Sequence, residues 1–217
     1  MIYHKLLYNS NYWYSRLIEK ATGSKFSHIS IILRDPVYLN PKLEGLYILE
    51  SAYEDICDSN TGKKINGVQI IPLEHTLNQY RNSSIGNLYY RRLDKVRTET
   101  FYKRLSDVIR HTEGCHYDLN PIDWIKAEYN IEIGDIQKTN IFWCSALVGY
   151  VYCTLHLLDG DVPWTLLEPR KFSYYEKENL KYTGQSETRF EKSLKIKNIF
   201  FDYEKSKSIL KGINIEI

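Results

Sequence analysis

An α+β fold built on an antiparallel sheet and one long buried helix is what the sequence predicts, and three observations carry that expectation. Between residues 26 and 93 a succession of β-branched runs separated by turn formers reads as a strand meander. Residues 98–111 place Phe101, Leu105, Val108 and Ile109 at helical spacing. The apolar stretch over residues 144–158 ends at Asp159-Gly160 and is long enough to be a central buried helix.

Taken in order, residues 11–21 carry Tyr12, Trp13, Leu17 and Ile18 near helical spacing, with Gly23 as a stop, and read as an amphipathic helix. Residues 26–33 form a β-branched strand that Asp35-Pro36 ends; residues 47–52, 68–71 and 88–93 are the next strands, with the polar segment 58–64 as a loop. Asn120-Pro121 supplies an N-cap and a first-turn proline, so residues 122–129 read as a helix. After the long apolar stretch, residues 170–177 suit a short helix and residues 196–203 a late strand.

At 217 residues and 43% hydrophobic content the chain can bury one substantial core, and a single domain is expected over residues 1–217. Lys and Arg total 29 against 27 Asp and Glu, a net charge of +2, which argues against a nucleic-acid partner. The basic clusters Arg91-Arg92 and Lys192 to Lys197 are short and diluted by apolar residues, as solvated faces are. No apolar run reaches the roughly 20 residues a bilayer requires, and residues 1–5 open no secretory signal. A soluble, intracellular and cytoplasmic protein is the expectation. The cysteines at 57, 115, 144 and 153 are scattered in a manner that fits a reducing compartment. No glycine-rich phosphate loop occurs, which argues against nucleotide chemistry.

The candidate chemistry starts at Phe142-Trp143-Cys144-Ser145-Ala146-Leu147-Val148, where an extended run turns into the apolar helix. A free thiol has a pKa of about 8.5 and attacks well only as thiolate. A helix start supplies partial positive charge and unpaired N–H groups, and a neighbouring imidazolium would add a full charge. Cys144 is therefore the nucleophile candidate. His28, in the strand at residues 26–33, is the base candidate, and Glu50, in the strand at residues 47–52, is the candidate that would orient it. Period-two alternation puts Glu50 on one face with Ile48 and Ala52, and His28 on one face with Ser30 and Ile32; if the strands are neighbours the two side chains can meet. Tyr117, Trp124, Trp143 and Trp164 are candidate groove aromatics, and Trp143, Ser27 and Tyr117 are taken as substrate contacts.

Each residue also has a plainer reading: a cysteine in an apolar helix is usually a small core residue, a strand histidine a satisfied core or edge group, and a strand-end glutamate a solvated one. Their combination carries the inference. Cys115-His116 with Cys153 and His156 has the wrong spacing for a standard zinc site, so core packing is favoured over a metal. Cys115 with His111 or His116 lacks a helix start after the thiol and ranks below Cys144.

Ser27-His28-Ile29-Ser30-Ile31, Leu49-Glu50-Ser51-Ala52, Gly67-Val68-Gln69-Ile70-Ile71-Pro72-Leu73 and the Cys144 segment together resemble the circularly permuted branch of the NlpC/P60 papain-like superfamily. Within that branch the chain resembles the YiiX-type and poxvirus-type group, which is related to the lecithin retinol acyltransferase family, and in that branch the histidine precedes the cysteine. The resemblance runs from His28 to Leu166-Leu167-Glu168-Pro169, leaving both ends of the chain uncovered. It implies a nucleophile at Cys144, a base at His28, a polar orienting residue at Glu50, and an antiparallel sheet packed on the helix that begins at Cys144. Relatives commonly carry Cys-Ser-Glu at the nucleophile; this chain has Ala146, so the contact that carboxylate makes has no counterpart here.

The expected activity is that of a cysteine hydrolase or acyltransferase acting on a peptide-like amide or an acyl lipid, with peripheral membrane contact in the latter case. No metal or organic cofactor is required. The alternative is a papain-like fold with an idle triad, used as a binding or virion-structural module. The resemblance to viral members and an AT-rich coding bias, visible in 19 tyrosines beside abundant Asn, Ile and Lys, point to a large DNA virus as source, hence to host cytoplasm or virion.

Overall fold

The computed structural model describes residues 2–10, 24–81, 86–118, 139–173, 189–190, 194–197 and 214–216. Among these the chain forms β1 (Ile2–Ser10), β2 (His28–Arg34), β3 (Leu46–Cys57), β4 (Lys64–Pro72), α1 (Leu73–Arg81), β5 (Gly86–Asp94), α2 (Glu99–Thr112), β6 (His116–Tyr117), β7 (Ile141–Phe142), α3 (Cys144–Thr154), β8 (Arg189–Phe190), β9 (Leu194–Lys197) and β10 (Asn214–Glu216), with 3-10 turns at Trp164–Leu166 and Pro169–Phe172. The strands make one mixed sheet in the order β10-β9-β5-β1-β2-β3-β4-β6-β7, with β8 also pairing β5. Every pairing is antiparallel except β6 with β7. The class is α+β, as expected.

Both faces of this sheet are covered. Leu7, Ile29, Ile31, Leu33, Leu49, Val68 and Ile70 pack with Phe101, Leu105 and Val108 of α2 and with Leu147, Val148 and Val151 of α3. On the other face Leu6, Tyr8, Ile32, Ile48, Ile71 and Leu88 pack with Leu73 and Leu77 of α1. Double coverage explains why the strands read as continuous apolar runs rather than alternating ones.

Departures from the sequence reading have physical causes. β1 lies between β2 and β5, yet a lysine in its middle hides it. Lys5 is fully buried, its ammonium 4.8 Å from the ring centroids of both Tyr152 and Phe172. Burial, then the nearby Arg91 charge, hold its pKa well below the usual lysine value. Helix α1 carries a weak pattern, with only Leu73, Thr76 and Leu77 buried, and Pro72 immediately before it reads as a terminator. Helix α3 stops at Thr154, four residues short of the expected end at Leu158. His156 takes a left-handed φ of 53°, and Leu157 and Leu158 stay in the core as a turn, so burial rather than helicity sustains the apolar run. The short helix expected at residues 170–177 is a 3-10 turn over Pro169–Phe172 as far as it is described. The helices expected at residues 11–21 and 122–129, and residues 198–203 of the late strand, lie outside the described residues.

One glycine fixes the site end of the sheet. Gly67 has φ 152°, and a Cβ there would stand 2.1 Å from the carbonyl oxygen of Cys115. That carbonyl accepts from the N–H of Val68 at 2.9 Å, which lays β6 across β4 with His116 opposite Gly67. β6 pairs in parallel with β7, and β7 leads through Trp143 into α3. The placement of Cys144 thus depends on a missing side chain on β4.

Candidate functional site

His28 is the first residue of β2 and Glu50 sits in mid-β3, in strands that pair with Ile31 opposite Leu49 and Ile32 opposite Ile48. Both side chains share a sheet face by alternation, and they meet: His28 Nε2 lies 2.8 Å from Glu50 Oε2. The imidazole is 21% exposed and the carboxylate 4%, so the pair is open to solvent only on the histidine side. The other oxygen of Glu50 accepts from Gln69 Nε2 at 3.2 Å. A carboxylate can only accept here, so the amide must present its nitrogen. Gln69 Oε1 is then left without a hydrogen-bond partner among the described residues although Gln69 is 1% exposed. An orphaned buried acceptor costs stability, which fits an amide placed for the glutamate rather than for the core.

Cys144 is the first residue of α3, after Trp143 in extended conformation at φ −84°, ψ 173°. Trp143 makes no side-chain cap, and the first backbone bond of the helix runs from the Leu147 N–H to the Trp143 carbonyl, so the N–H groups of residues 144–146 precede it. Cys144 is 6% exposed, and its sulfur lies near enough to His28 to act on the charge of the imidazole. Burial disfavours the charged imidazole, but the Cys144 sulfur, through charge and hydrogen bond, and then Glu50, overcome it and push the His28 pKa from the ordinary 6.5 up to about 10.

That shift has a thermodynamic consequence. The folded-state pKa of His28 lies above its unfolded value, so its contribution to stability is complete below pH 6.5 and is lost as pH rises through about 10. The stability difference between the parent and a His28→Gln protein should therefore shrink steadily across that window, by urea unfolding at successive pH values. A difference that stays level or grows with pH would contradict the charged-imidazole picture.

Two groups that sequence reasoning did not single out frame the pair. Tyr8 of β1, opposite His28 in register, packs its ring edge-on to the imidazole with centroids 4.7 Å apart. Its hydroxyl lies 2.8 Å from Ser30 Oγ. Burial first, and the adjacent Glu50 charge next, hold this phenol well above its ordinary pKa, so it stays neutral. Gln69 could have been found as a polar residue inside the apolar run Val68-Gln69-Ile70-Ile71; Tyr8 gave no signal because its strand was hidden.

Of the expected substrate contacts, Trp143 is 5% exposed and belongs to the main core, so its ring is a packing element more than an open wall. Ser27 is buried, with its N–H on the Tyr8 carbonyl at 2.9 Å and its hydroxyl 3.5 Å from the same oxygen. Tyr117 is half-buried on β6, beside Phe142. Trp164 is buried in the core and Trp124 lies outside the described residues. The competing cysteines are elsewhere. Cys115 Sγ faces the carbonyls of His111 and Thr139 at 3.9 and 3.7 Å, and Cys153 Sγ donates to the Asp159 carbonyl at 3.3 Å. His156, expected beside Cys153 on one helix, falls past the helix end and is exposed. Among the described residues no His, Cys, Asp and Glu groups cluster as metal ligands, and no helix is long and apolar enough to cross a membrane.

No family model matches the chain, and no curated protein matches it. Among solved structures it is similar to the crystal structure of the metalloprotein YiiX from Escherichia coli O157:H7, with 15% identity over 88% of this chain and 96% of that one and a TM-score of 0.45.

Proposed function

We propose that this chain is a cysteine-dependent hydrolase or acyltransferase of the circularly permuted NlpC/P60, papain-like type, acting on an amide, ester or thioester carbonyl. One observation carries the reading: His28 and Glu50, far apart in sequence, meet at 2.8 Å, and the Cys144 sulfur at the start of α3 is near enough to be the largest influence raising the imidazole pKa. The order histidine, carboxylate, cysteine along the chain, and a helix that begins at the cysteine against an antiparallel sheet, agree with the permuted architecture.

His28 takes the thiol proton of Cys144, and the resulting thiolate attacks the carbonyl carbon, forming a C–S bond while the carbonyl electrons move to oxygen. The N–H groups at the start of α3 face that developing charge. Collapse breaks the bond to the leaving group, which takes its proton from the His28 imidazolium. His28, neutral again, removes a proton from water or from an acceptor hydroxyl or amine, and that oxygen or nitrogen displaces sulfur. Glu50 holds one tautomer and stabilises the charged imidazole throughout. Substrates are peptide-like amides or acyl lipids, and vesicle association would accompany the second class.

The test is mass spectrometry of the protein after incubation with mixed amide, ester and thioester acyl donors. A trapped acyl mass on the peptide containing Cys144, absent from the Cys144→Ala protein, is expected, and its value reports the group transferred. Adducts only on Cys57 or Cys115, or none, would instead favour an idle module.

A further inference from the structure

Glu50 and Ser51 are neighbours on β3, and alternation sends their side chains to opposite faces of the sheet. Glu50 goes to His28. Ser51 is fully buried on the other face and donates from Oγ to the carbonyl oxygen of Phe142 at 2.6 Å. The same carbonyl accepts the N–H of Asp118 at 3.2 Å, so it is held from two directions. Phe142 closes β7 and Cys144 opens α3 two residues later, which makes this carbonyl the point from which the helix start departs.

We propose that Ser51 is a positioning residue that sets the Cys144 sulfur against His28 by holding the Phe142 carbonyl, so that the dipeptide Glu50-Ser51 aligns the carboxylate through one face of β3 and the nucleophile through the other. This rests on the reading of Cys144 as nucleophile and His28 as base. Without the serine hydroxyl the Phe142 carbonyl still keeps the Asp118 N–H, so no buried polar group is orphaned and the stability requirement is already met. What the hydroxyl adds is a second direction of constraint on a peptide next to the nucleophile, where a displacement of the order of 1 Å is costly to reactivity.

The experiment compares parent and Ser51→Ala proteins by the rate of iodoacetamide alkylation at Cys144, resolved by peptide mass spectrometry from acid to alkaline pH, and by NMR titration of the His28 ring. The expected result is an alkylation rate lower by roughly tenfold, with a changed pH profile. The His28 titration should fall from about 10, since the sulfur that raises it has moved away, while unfolding stays cooperative. An unchanged alkylation profile together with an unchanged His28 titration overturns the assignment. If Ser51→Ala does not fold, the isosteric pair Ser51→Thr and Ser51→Val decides: the threonine protein keeps the parent profile and the valine protein loses it, whereas equal behaviour of the two overturns the proposal. A parent protein whose Cys144 alkylates no faster than a free thiol overturns this inference and the catalytic reading together; a fast parent with an equally fast Ser51→Ala overturns only this one.

Discussion

Replacing His28 by glutamine is expected to slow acylation of Cys144 by roughly 10²- to 10⁴-fold near neutral pH, the range a positioned acid–base group supplies. Glutamine is the informative substitution because its amide can still donate to Glu50, which at 3% exposure would otherwise lose its charged partner. The shape of the pocket and the satisfaction of the buried carboxylate are kept. What is lost is the ability to carry a proton and a charge beside sulfur. A single-turnover measurement with an activated ester, followed by intact-protein mass, reads the effect without knowledge of the natural substrate. A His28→Gln protein that acylates as fast as its parent would remove the histidine from the chemistry and leave Cys144 as an ordinary thiol.

Gly67→Ala is expected to destabilise the fold by about 3 kcal/mol or more and to abolish acylation at Cys144, although residue 67 touches neither the thiol nor the imidazole. The added methyl would meet the Cys115 carbonyl at 2.1 Å and the His116 Cα at 2.8 Å, and both obstacles are backbone, which cannot swing aside as a flexible side chain would. The backbone conformation, with φ 152°, is also one that L side chains rarely adopt. Relief requires β6 to lift from β4, which breaks the bond from the Val68 N–H to the Cys115 carbonyl and releases β7 and the start of α3. Chemical denaturation monitored by tryptophan fluorescence, with acylation of the folded fraction, checks both halves. A variant as stable and as reactive as the parent would mean that β6 does not hold the nucleophile's approach.

Much of the framework was legible in the residues. The buried parts of β2, β3, β4 and β5 are legible because local propensity and burial agree there; β2 and β5 end within two residues of expectation, while β3 runs five residues past Ala52 and β4 starts four before Val68, in largely exposed segments whose polar residues read as loop. Helix α2 was legible for the same reason: Thr98 caps the Phe101 N–H, and Phe101, Leu105, Val108 and Ile109 are buried at helical spacing. The strand β1 was not, since a buried lysine flanked by two aromatic rings is a tertiary solution that a one-dimensional pattern reports as a solvated position. The end of α3 is not legible, because an apolar run records burial and says nothing of where the backbone turns.

The sequence by itself determined the class of fold, the strands that carry His28 and Glu50, and the helix start at Cys144, because these follow from short-range spacing and from residue chemistry. Tertiary structure alone decided that β2 and β3 are neighbours in the register that brings the imidazole to the carboxylate. It also decided that Tyr8 and Gln69 frame the pair, that Ser51 holds the Phe142 carbonyl from the other face of β3, and that Gly67 lets the segment leading to the thiol lie where it does. The physical reason is that alternation fixes only which face a side chain takes. Which strand lies beside it, and at what offset, is set by packing and backbone pairing summed over the whole sheet.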